Sequence, residues 1–112
     1  MPPQPLYLGE FEQLVLLAVL RLGADAYGVS IGRELEEHAG RRVSRGALYT
    51  TLDRLEQKGL LRWKLAHGGD ERGRLPRRAY DLTPRGVVSI RAARNVLTRM
   101  WHGLDDVLKE RL

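Results

Sequence analysis

Apolar residues follow a helical period in the segment 45–58. Leu48, Leu52 and Leu55 recur at i, i+4 and i+7, so they share one face of a helix. Ser44 stands where an N-cap hydroxyl accepts from a free backbone N–H, and Gly59 stands where a helix ends in a left-handed residue. The pattern predicts an amphipathic helix. Its opposite face is predicted to carry Arg45, Gly46, Tyr49, Thr50 and Asp53.

A helix of this kind has two interpretations. With one face in a core and a cation, a phenol and hydroxyls on the other, it is typical of a recognition helix that reads base edges in a DNA major groove. An ordinary amphipathic surface helix would show the same pattern. The segments that flank the helix therefore have to decide between the two.

Beyond this helix the period of apolar residues changes from helical to alternating. Leu61, Trp63 and Leu65 alternate with basic residues, which predicts a half-buried strand. The segment 67–77, rich in Gly and Arg, has no apolar period, and the run 78–82 predicts a returning strand. A helix followed by a strand, a loop and a second strand predicts a winged helix.

Two further helices are predicted upstream. Residues 10–22 form the first, and it is apolar on every side, so either a second subunit or the chain's own core should cover it. The second begins at Tyr27 or Gly28 and runs to about Ala39. Its inner face is predicted to carry Ile31, Leu35 and His38.

The last predicted helix begins at Pro84, after the N-cap Thr83, and runs to about Lys109. It is about 37 Å long at 1.5 Å per residue, and its broad apolar stripe needs a partner. Gly103 serves either a close approach of helices or a break. The dimer interface is predicted to contain Leu14, Leu17, Ile90, Leu97, Met100, Trp101, Leu104 and Leu108.

These elements predict one small domain of the α+β class, mainly α. It is a winged helix-turn-helix with a two-stranded wing and a long C-terminal dimerisation helix. We expect a flexible N-terminal arm at 1–7, a DNA-binding domain at 8–83 and the dimerisation helix at 84–112. The chain of 112 residues is 43% hydrophobic, which allows a packed core, but it contains no 18-residue apolar run, so we expect no membrane span.

Several motifs are similar to those of the PadR family of transcriptional regulators. They are Gly46-Ala47-Leu48-Tyr49 with Leu52, Arg54-Leu55-Glu56, Gly59-Leu60-Leu61, and Arg77-Arg78-x-Tyr80-x-Leu82-Thr83-x-x-Gly86, with Leu8-Gly9 and Tyr27-Gly28 upstream. The chain resembles the family over roughly residues 8–110, although many relatives have proline where Thr50 stands. The resemblance implies a dimer in which the last helix pairs with its mate and with the first helix of the other subunit. In some branches of the family, an aromatic residue of the last helix stacks on flat effectors.

Positive charge is concentrated in the middle of the chain. Residues 41–99 contain fifteen Lys or Arg against five acidic residues, a net charge of +10, whereas residues 1–40 carry −4. This asymmetry favours a polyanionic partner, although a solvated charged surface is the alternative. The predicted DNA-binding residues are Arg41, Arg42, Ser44, Arg45, Gly46, Tyr49, Thr50, Arg72, Arg74, Arg77 and Arg78.

Roles differ within this set. Arg41 and Arg42 face either phosphates or bulk water, and we assign the wing arginines mainly to phosphates, with insertion of one into the minor groove as the alternative. Asp53 would repel phosphate unless it accepts from a cytosine amino group or orients a neighbouring arginine. We favour the second role for Asp53.

We therefore predict a homodimeric, sequence-specific regulator that binds double-stranded DNA at a pseudo-palindromic operator. We expect it to be a repressor, cytoplasmic and associated with the nucleoid. Trp101 and Met100 belong either to the dimer core or to a cavity for a small flat aromatic effector. A winged helix that serves only protein interaction is the alternative function, and such a module would show little salt-dependent binding to DNA.

The sequence does not favour an enzyme, a cofactor or a metal site. It has no cysteine, its histidines at 38, 67 and 102 are dispersed, and its glycine-rich loop lacks the lysine of a phosphate-binding loop. His102 lies near Asp105 and Asp106, but we interpret this group as surface charge.

Overall fold

Five helices and one antiparallel hairpin make up the described part of the chain, residues 2–66 and 76–112, in the computed structural model. The helices are α1 (Glu10–Leu22), α2 (Gly28–Ala39), α3 (Arg45–Gln57), α4 (Pro84–Trp101) and α5 (Asp105–Arg111). The strands are β1 (Leu61–Ala66) and β2 (Arg77–Leu82), and a 3-10 turn, Gly23–Asp25, joins α1 to α2. The predicted order of three helices, a hairpin and a helical C-terminal segment is confirmed.

The core lies where α1, α2, α3 and the root of the hairpin meet. Val15 and Leu16 of α1 are fully buried there against apolar residues of the other elements. The residues that complete the centre are Val19, Ile31, Leu35, Leu52, Leu55, Leu60 and Leu61. However, α1 is not covered all round by its own subunit, because Leu17 and Leu20 remain almost half exposed.

The inner face of α2 ends at an exposed edge. Ile31 and Leu35 are buried as expected, and His38 lies at the edge of the same face with its side chain about half exposed. His38 lies one turn beyond the last buried residue of the helix, where its Nδ1 is 3.1 Å from Glu34 Oε1. Gly40 then ends the helix in the left-handed conformation, with φ of 63°.

The hairpin pairs Leu61 with Leu82 and Ala66 with Arg77, so residues 61, 63 and 65 share a face with 78, 80 and 82. Only its root is buried. The half-buried pattern predicted for β1 is therefore wrong beyond Leu61, because Trp63 and Leu65 lie where the hairpin extends past the helices. The other edge of β2 is held to the body, since the Tyr80 N–H donates to the Ala26 carbonyl at 2.8 Å.

The C-terminal segment differs from the predicted single helix. Thr83 caps α4 by accepting from the Gly86 N–H, as expected. Gly86 also permits a close approach, since a Cβ there would lie 2.2 Å from the Leu60 carbonyl oxygen. The helix ends at Trp101, and Gly103 adopts a positive φ of 79° before α5 begins. Gly103 therefore marks a break in the helix.

The N-terminal arm is attached to the body at its last residues. The Leu6 N–H donates to the Ser89 hydroxyl of α4 at 2.9 Å, and the Leu6 side chain packs against the core. Residues 2–5 and Tyr7 are exposed. Among the described helices, none is both long and apolar enough to cross a membrane.

Candidate DNA-binding surface

The helix α3 is fixed in position at its start and along its inner face. The Ser44 hydroxyl accepts from the Ala47 N–H at 3.2 Å, which confirms the predicted N-cap. Thr51 is buried, and its hydroxyl donates to the Ala47 carbonyl at 3.0 Å. Leu48 and Leu52 are buried in the core, so α3 presents one constant face to solvent.

Three of the predicted recognition residues lie on this exposed face. Arg45 begins α3, is exposed and makes no ion pair within residues 2–66 and 76–112. Gly46 follows it, and a Cβ at that position would meet nothing within 4 Å. Thr50 lies one turn further on and is also exposed. The first two turns of α3 thus offer a cation, an open backbone and a hydroxyl to a partner.

Tyr49 is not on the open face where the sequence placed it. It is half-buried and packs at the edge of the core. Its ring lies against the start of α2, because a Cβ on Gly28 would be 2.0 Å from Tyr49 Oη. In a helix, Tyr49 is only 100° from Leu48, and α2 happens to cover that flank. Tyr49 is thus on the border of the surface.

The two turn arginines already have acidic partners within the subunit. Arg41 forms an ion pair with Glu10 at the start of α1. Arg42 Nη2 is 3.5 Å from Glu36 Oε1, and both side chains are more than half exposed. Exposed pairs of this kind are weak, so a phosphate could replace either acid.

The arginines at the start of β2 each stack on an aromatic ring. The guanidinium carbon of Arg77 lies 4.2 Å from the ring centroid of Tyr27, the residue before α2. The guanidinium carbon of Arg78 lies 4.2 Å from the ring centroid of Trp63, across the hairpin. Stacking of this kind holds an arginine in place while its N–H groups stay available for hydrogen bonds to a partner. The predicted wing residues Arg72 and Arg74 lie outside the described residues.

Asp53 lies between α3 and the hairpin. Its Oδ1 is 3.8 Å from Arg78 Nη1, which agrees with the favoured role of orienting a neighbouring arginine. Beneath this pair, Tyr80 is 97% buried, and its hydroxyl has no hydrogen-bond partner of good geometry within the described residues. Burial raises the pKa of Tyr80, the nearby Arg78 guanidinium opposes that rise, and Asp53 and Tyr49 add to it.

At the opposite end of α3, a lysine joins the helix to α1. Lys58 Nζ is 2.8 Å from Glu12 Oε2, while Glu12 Oε1 accepts from the Gly9 N–H at 3.0 Å. Burial acts to raise the pKa of Glu12, but Lys58, the Gly9 N–H and the charge of Arg54 together hold it below its usual value. This contact braces α3 against α1 without using its exposed face.

A second, apolar surface is formed by the outer half of α4 and by α5. Leu97, Met100 and Trp101 of α4 are 50%, 69% and 54% exposed, and α5 buries none of its residues against the described part of the chain. A groove of about 530 Å³ separates α4 from residues 5–8 and continues this surface. Of the other predicted interface residues, Leu17, Leu104 and Leu108 are exposed, whereas Leu14 is half-buried and packs against the core.

One predicted interface residue is misplaced. Ile90 is only 8% exposed, because it belongs to the first half of α4, which packs on the subunit's own core. The apolar stripe of α4 therefore divides at about residue 93, with an inner part that stabilises the fold and an outer part that is uncovered. A continuous 3–4 spacing in the sequence cannot show where such a division falls.

Sequence reasoning also missed the two stacked aromatics. Tyr27 and Trp63 hold the arginines of β2, yet neither was predicted to contribute to the site. Knowledge of the strand register would have shown that Trp63 and Arg78 are diagonal neighbours. Ten residues separate β1 from β2, and a loop of that length leaves the register open.

A helix-turn-helix with an exposed third helix, an antiparallel hairpin and arginines around both defines a winged-helix DNA-binding protein. The model of the Transcriptional regulator PadR-like family matches residues 16–92. The chain belongs to this family, as its motifs suggested. The family is one of transcriptional regulators, so the expectation that the chain is not an enzyme is confirmed.

Relatives agree with this assignment. The chain is 38% identical over 94 residues to the transcriptional regulator Rv3488 of Mycobacterium tuberculosis, covering 81% of this chain and 83% of the relative. It is similar to a PadR family regulator from Eggerthella lenta, with a TM-score of 0.64, 28% identity and coverage of 88% and 86% of the two chains. A PadR-like regulator from Bacillus cereus shares the fold, with a TM-score of 0.70 at 19% identity and coverage of 88% and 90%.

Proposed function

We propose that this regulator is a homodimer that recognises a pseudo-palindromic DNA site through the first two turns of α3. The observation that supports this most directly is the uncovered set Arg45, Gly46 and Thr50 on a helix whose inner face is fixed in the core. An arginine there has the reach and geometry to bind guanine O6 and N7 in a major groove. Around the helix, Ser44, the turn arginines Arg41 and Arg42 and the stacked Arg77 would bind phosphates and set its register.

The second surface supports dimerisation. Apolar side chains of α4 and α5 are exposed, Leu17 and Leu20 of α1 are exposed as well, and exposed apolar area of this kind commonly marks a site of association. A second copy is the occupant we propose, because two recognition helices related by a two-fold axis would read two half-sites about one turn of DNA apart. We expect the dimer to be a cytoplasmic, nucleoid-associated repressor that blocks transcription by occupying its operator.

Trp101 and Met100 have two roles open to them in this arrangement. Both side chains are more than half exposed in the single subunit and lie within the proposed interface. They either fill its core or line a cavity in which a small flat aromatic effector stacks on the indole. We favour the core, since the neighbouring residues of α4 and α5 are also apolar.

Selection from a random DNA pool, followed by titration, tests this proposal. Arg45→Ala should weaken binding to the selected site by about 1–3 kcal/mol and binding to random DNA far less, because a base contact is lost. Arg91→Ala, which removes an exposed arginine of α4, is the matched control and should change neither. Equal losses on both DNAs would make Arg45 a phosphate contact. Absence of salt-dependent DNA binding in the unmodified protein would instead favour an interaction module.

A further inference from the structure

A polar contact joins the recognition helix to the hairpin at the edge of the recognition surface. Asp53 of α3 and Arg78 of β2 approach to 3.8 Å, and Arg78 also lies flat on the ring of Trp63 at 4.2 Å. The Asp53 and Arg78 side chains are 56% and 46% exposed, so the contact is open to solvent and to a DNA backbone. This geometry gives Arg78 two independent constraints, one from each side.

We propose that Arg78 is a positioning residue, and that Asp53 promotes DNA binding by holding Arg78 and, through it, the hairpin at a set angle to α3. This inference rests on the proposed DNA recognition. It assigns a favourable role to a carboxylate on a surface that binds a polyanion, which simple electrostatics would not predict.

Three features of the site favour positioning over a direct contact. First, Arg78 is the diagonal neighbour of Trp63 on the same face of the hairpin, so its stem and guanidinium run along the sheet rather than away from it. A guanidinium that is stacked on an aromatic ring loses little further conformational freedom when its N–H groups also bind a carboxylate. Its orientation is therefore set before any DNA arrives.

Second, the hairpin has few other constraints on this side. Its root is buried through Leu61, Tyr80 and Leu82, but from Trp63 outward the same face is exposed. Elsewhere β2 is held to the body, because the Tyr80 N–H donates to the Ala26 carbonyl and Arg77 stacks on Tyr27. The contact between Asp53 and Arg78 lies two residue pairs beyond the buried Tyr80, where it holds the exposed face of the hairpin to α3.

Third, Asp53 and Arg78 cover a buried polar atom. The Tyr80 hydroxyl has no hydrogen-bond partner of good geometry within the described residues, and it lies beneath this pair. A buried hydroxyl left without a partner is costly, so a guanidinium N–H that can donate to its oxygen, or a water that the guanidinium orders, is favourable. The opposite arrangement, with Arg78 turned outward to a phosphate, would leave this hydroxyl without a cation nearby.

The test is whether Asp53→Asn raises or lowers the affinity for DNA. If Asp53 acted only through its charge, Asp53→Asn would raise the affinity for every DNA, because one negative charge is removed from the surface. Positioning predicts the reverse, a loss of roughly 3- to 30-fold on the selected site, which is the range found for coupled neighbours. Asp81→Asn is the matched control, since Asp81 pairs with Arg62 at 3.6 Å on the other face of the same hairpin. It should leave affinity unchanged or raise it slightly.

A double-mutant cycle identifies the partner. Arg78→Gln should weaken binding, and adding Asp53→Asn to it should cause no further loss if the aspartate acts through Arg78. Additive losses, or a gain of affinity in Asp53→Asn equal to that in Asp81→Asn, would overturn the proposal. Because an exposed ion pair contributes little to folding, thermal unfolding of the single variants should stay close to that of the unmodified protein.

A second measurement needs no DNA. In a Trp101→Phe background, the emission of Trp63 reports whether a guanidinium lies on its ring. Asp53→Asn and Arg78→Gln should shift this emission in the same direction, and Asp81→Asn should leave it unchanged. An unchanged emission in Asp53→Asn would refute the positioning role even if the protein binds no DNA. Conversely, the expected shift without any DNA binding would retain the contact and refute the proposed function.

Discussion

The two surfaces of this molecule differ in how far a single subunit completes them. Around α3, several charged side chains have partners within the subunit, as Asp53 has Arg78, Arg41 has Glu10 and Lys58 has Glu12. Along the outer half of α4 and along α5, apolar side chains lie in the open. Several side chains of the first surface are already paired in one subunit, whereas those of the second would be covered only by the association that we propose.

The difference has a physical cause. Water solvates an exposed arginine or aspartate well, so a polar surface can be stable in one subunit and still exchange its weak ion pairs for phosphates. Apolar area gains about 25 cal/mol per Å² only when another apolar surface removes it from water. A regulator that reads two half-sites therefore needs a rigid polar face and a separate apolar face that sets the distance between the two copies.

The largest effect is expected where the apolar surface is broken. Leu97→Asp places a carboxylate among the exposed apolar residues of α4, and burying it without a partner costs several kcal/mol. We expect the protein to sediment as a monomer. Its affinity for a two-half-site operator should fall by a factor on the order of 10² or more, because the second half-site is no longer held nearby.

Asn95→Asp is the control for this experiment. It introduces the same charge at an exposed position on α4, two residues away, and should leave the protein dimeric. A Leu97→Asp protein that remained dimeric would show that this part of α4 is not the interface. Loss of solubility in Leu97→Asp, with a folded monomer recovered at low concentration, would support the proposal as well.

The outline of the fold could be predicted because each element carries its own local signal. Ser44, Thr83 and Gly59 mark ends of elements, and each has the role expected from the sequence. Apart from the break of the last helix at Gly103, the failures concern which neighbour covers a residue. Tyr49 was misplaced because its flank depends on α2, and Ile90 because burial along α4 depends on where the core ends. Trp63 and Arg78 meet through a register that the sequence leaves open.

Trp101→Ala distinguishes core from cavity within the apolar surface. If the indole fills the interface, its removal should weaken the dimer by about 2 kcal/mol or more, as for a central aromatic, whether or not a ligand is present. If it lines an effector cavity, the dimer should persist, and only the fluorescence response to flat aromatic compounds should be lost in a Trp63→Phe background. Arg99→Ala, an exposed neighbour, is the control. Trp101→Ala that stays dimeric and still binds such compounds would exclude both roles.

Gly28→Ala should displace Tyr49, which lies at the border of the recognition surface. A methyl group there would lie 2.0 Å from Tyr49 Oη and 2.5 Å from its Cζ, so the tyrosine has to leave its place against α2. We expect a net loss of about 1–2 kcal/mol in the free energy of unfolding, since overpacking outweighs the helix propensity gained by alanine. Urea unfolding measures this loss.

Two further variants locate the cause. Gly32→Ala is the control on the same helix, because its methyl group would be at an ordinary 3.5 Å from Leu48 Cδ2, and it should be neutral or stabilising. In a Tyr49→Ala background, Gly28→Ala should no longer destabilise. If the cost persists without the tyrosine, the clash is elsewhere and Tyr49 is not held by Gly28.

The smallest effect concerns the ion pair between Glu12 of α1 and Lys58 at the end of α3. This pair should make the free energy of unfolding depend on pH in the acid range. Glu12 has a pKa below its usual value in the folded chain, so it favours folding above the pKa of the unfolded chain, and this contribution is lost as the pH falls through the folded value.

Glu12→Gln keeps an oxygen that can accept from the Gly9 N–H but removes the charge that Lys58 binds. At pH 7 it should lower the free energy of unfolding by about 0.2–1 kcal/mol, within the range of exposed ion pairs. The difference from the unmodified protein should begin to shrink near about pH 4, the pKa of a carboxyl in the unfolded chain, and should disappear only as the pH falls through the lower pKa of the folded chain. Glu110→Gln on α5 is the control and should show no such dependence. Urea unfolding at several pH values gives the measurement, and a constant difference between the two proteins from pH 7 to pH 3 would contradict the charge-based role of Glu12.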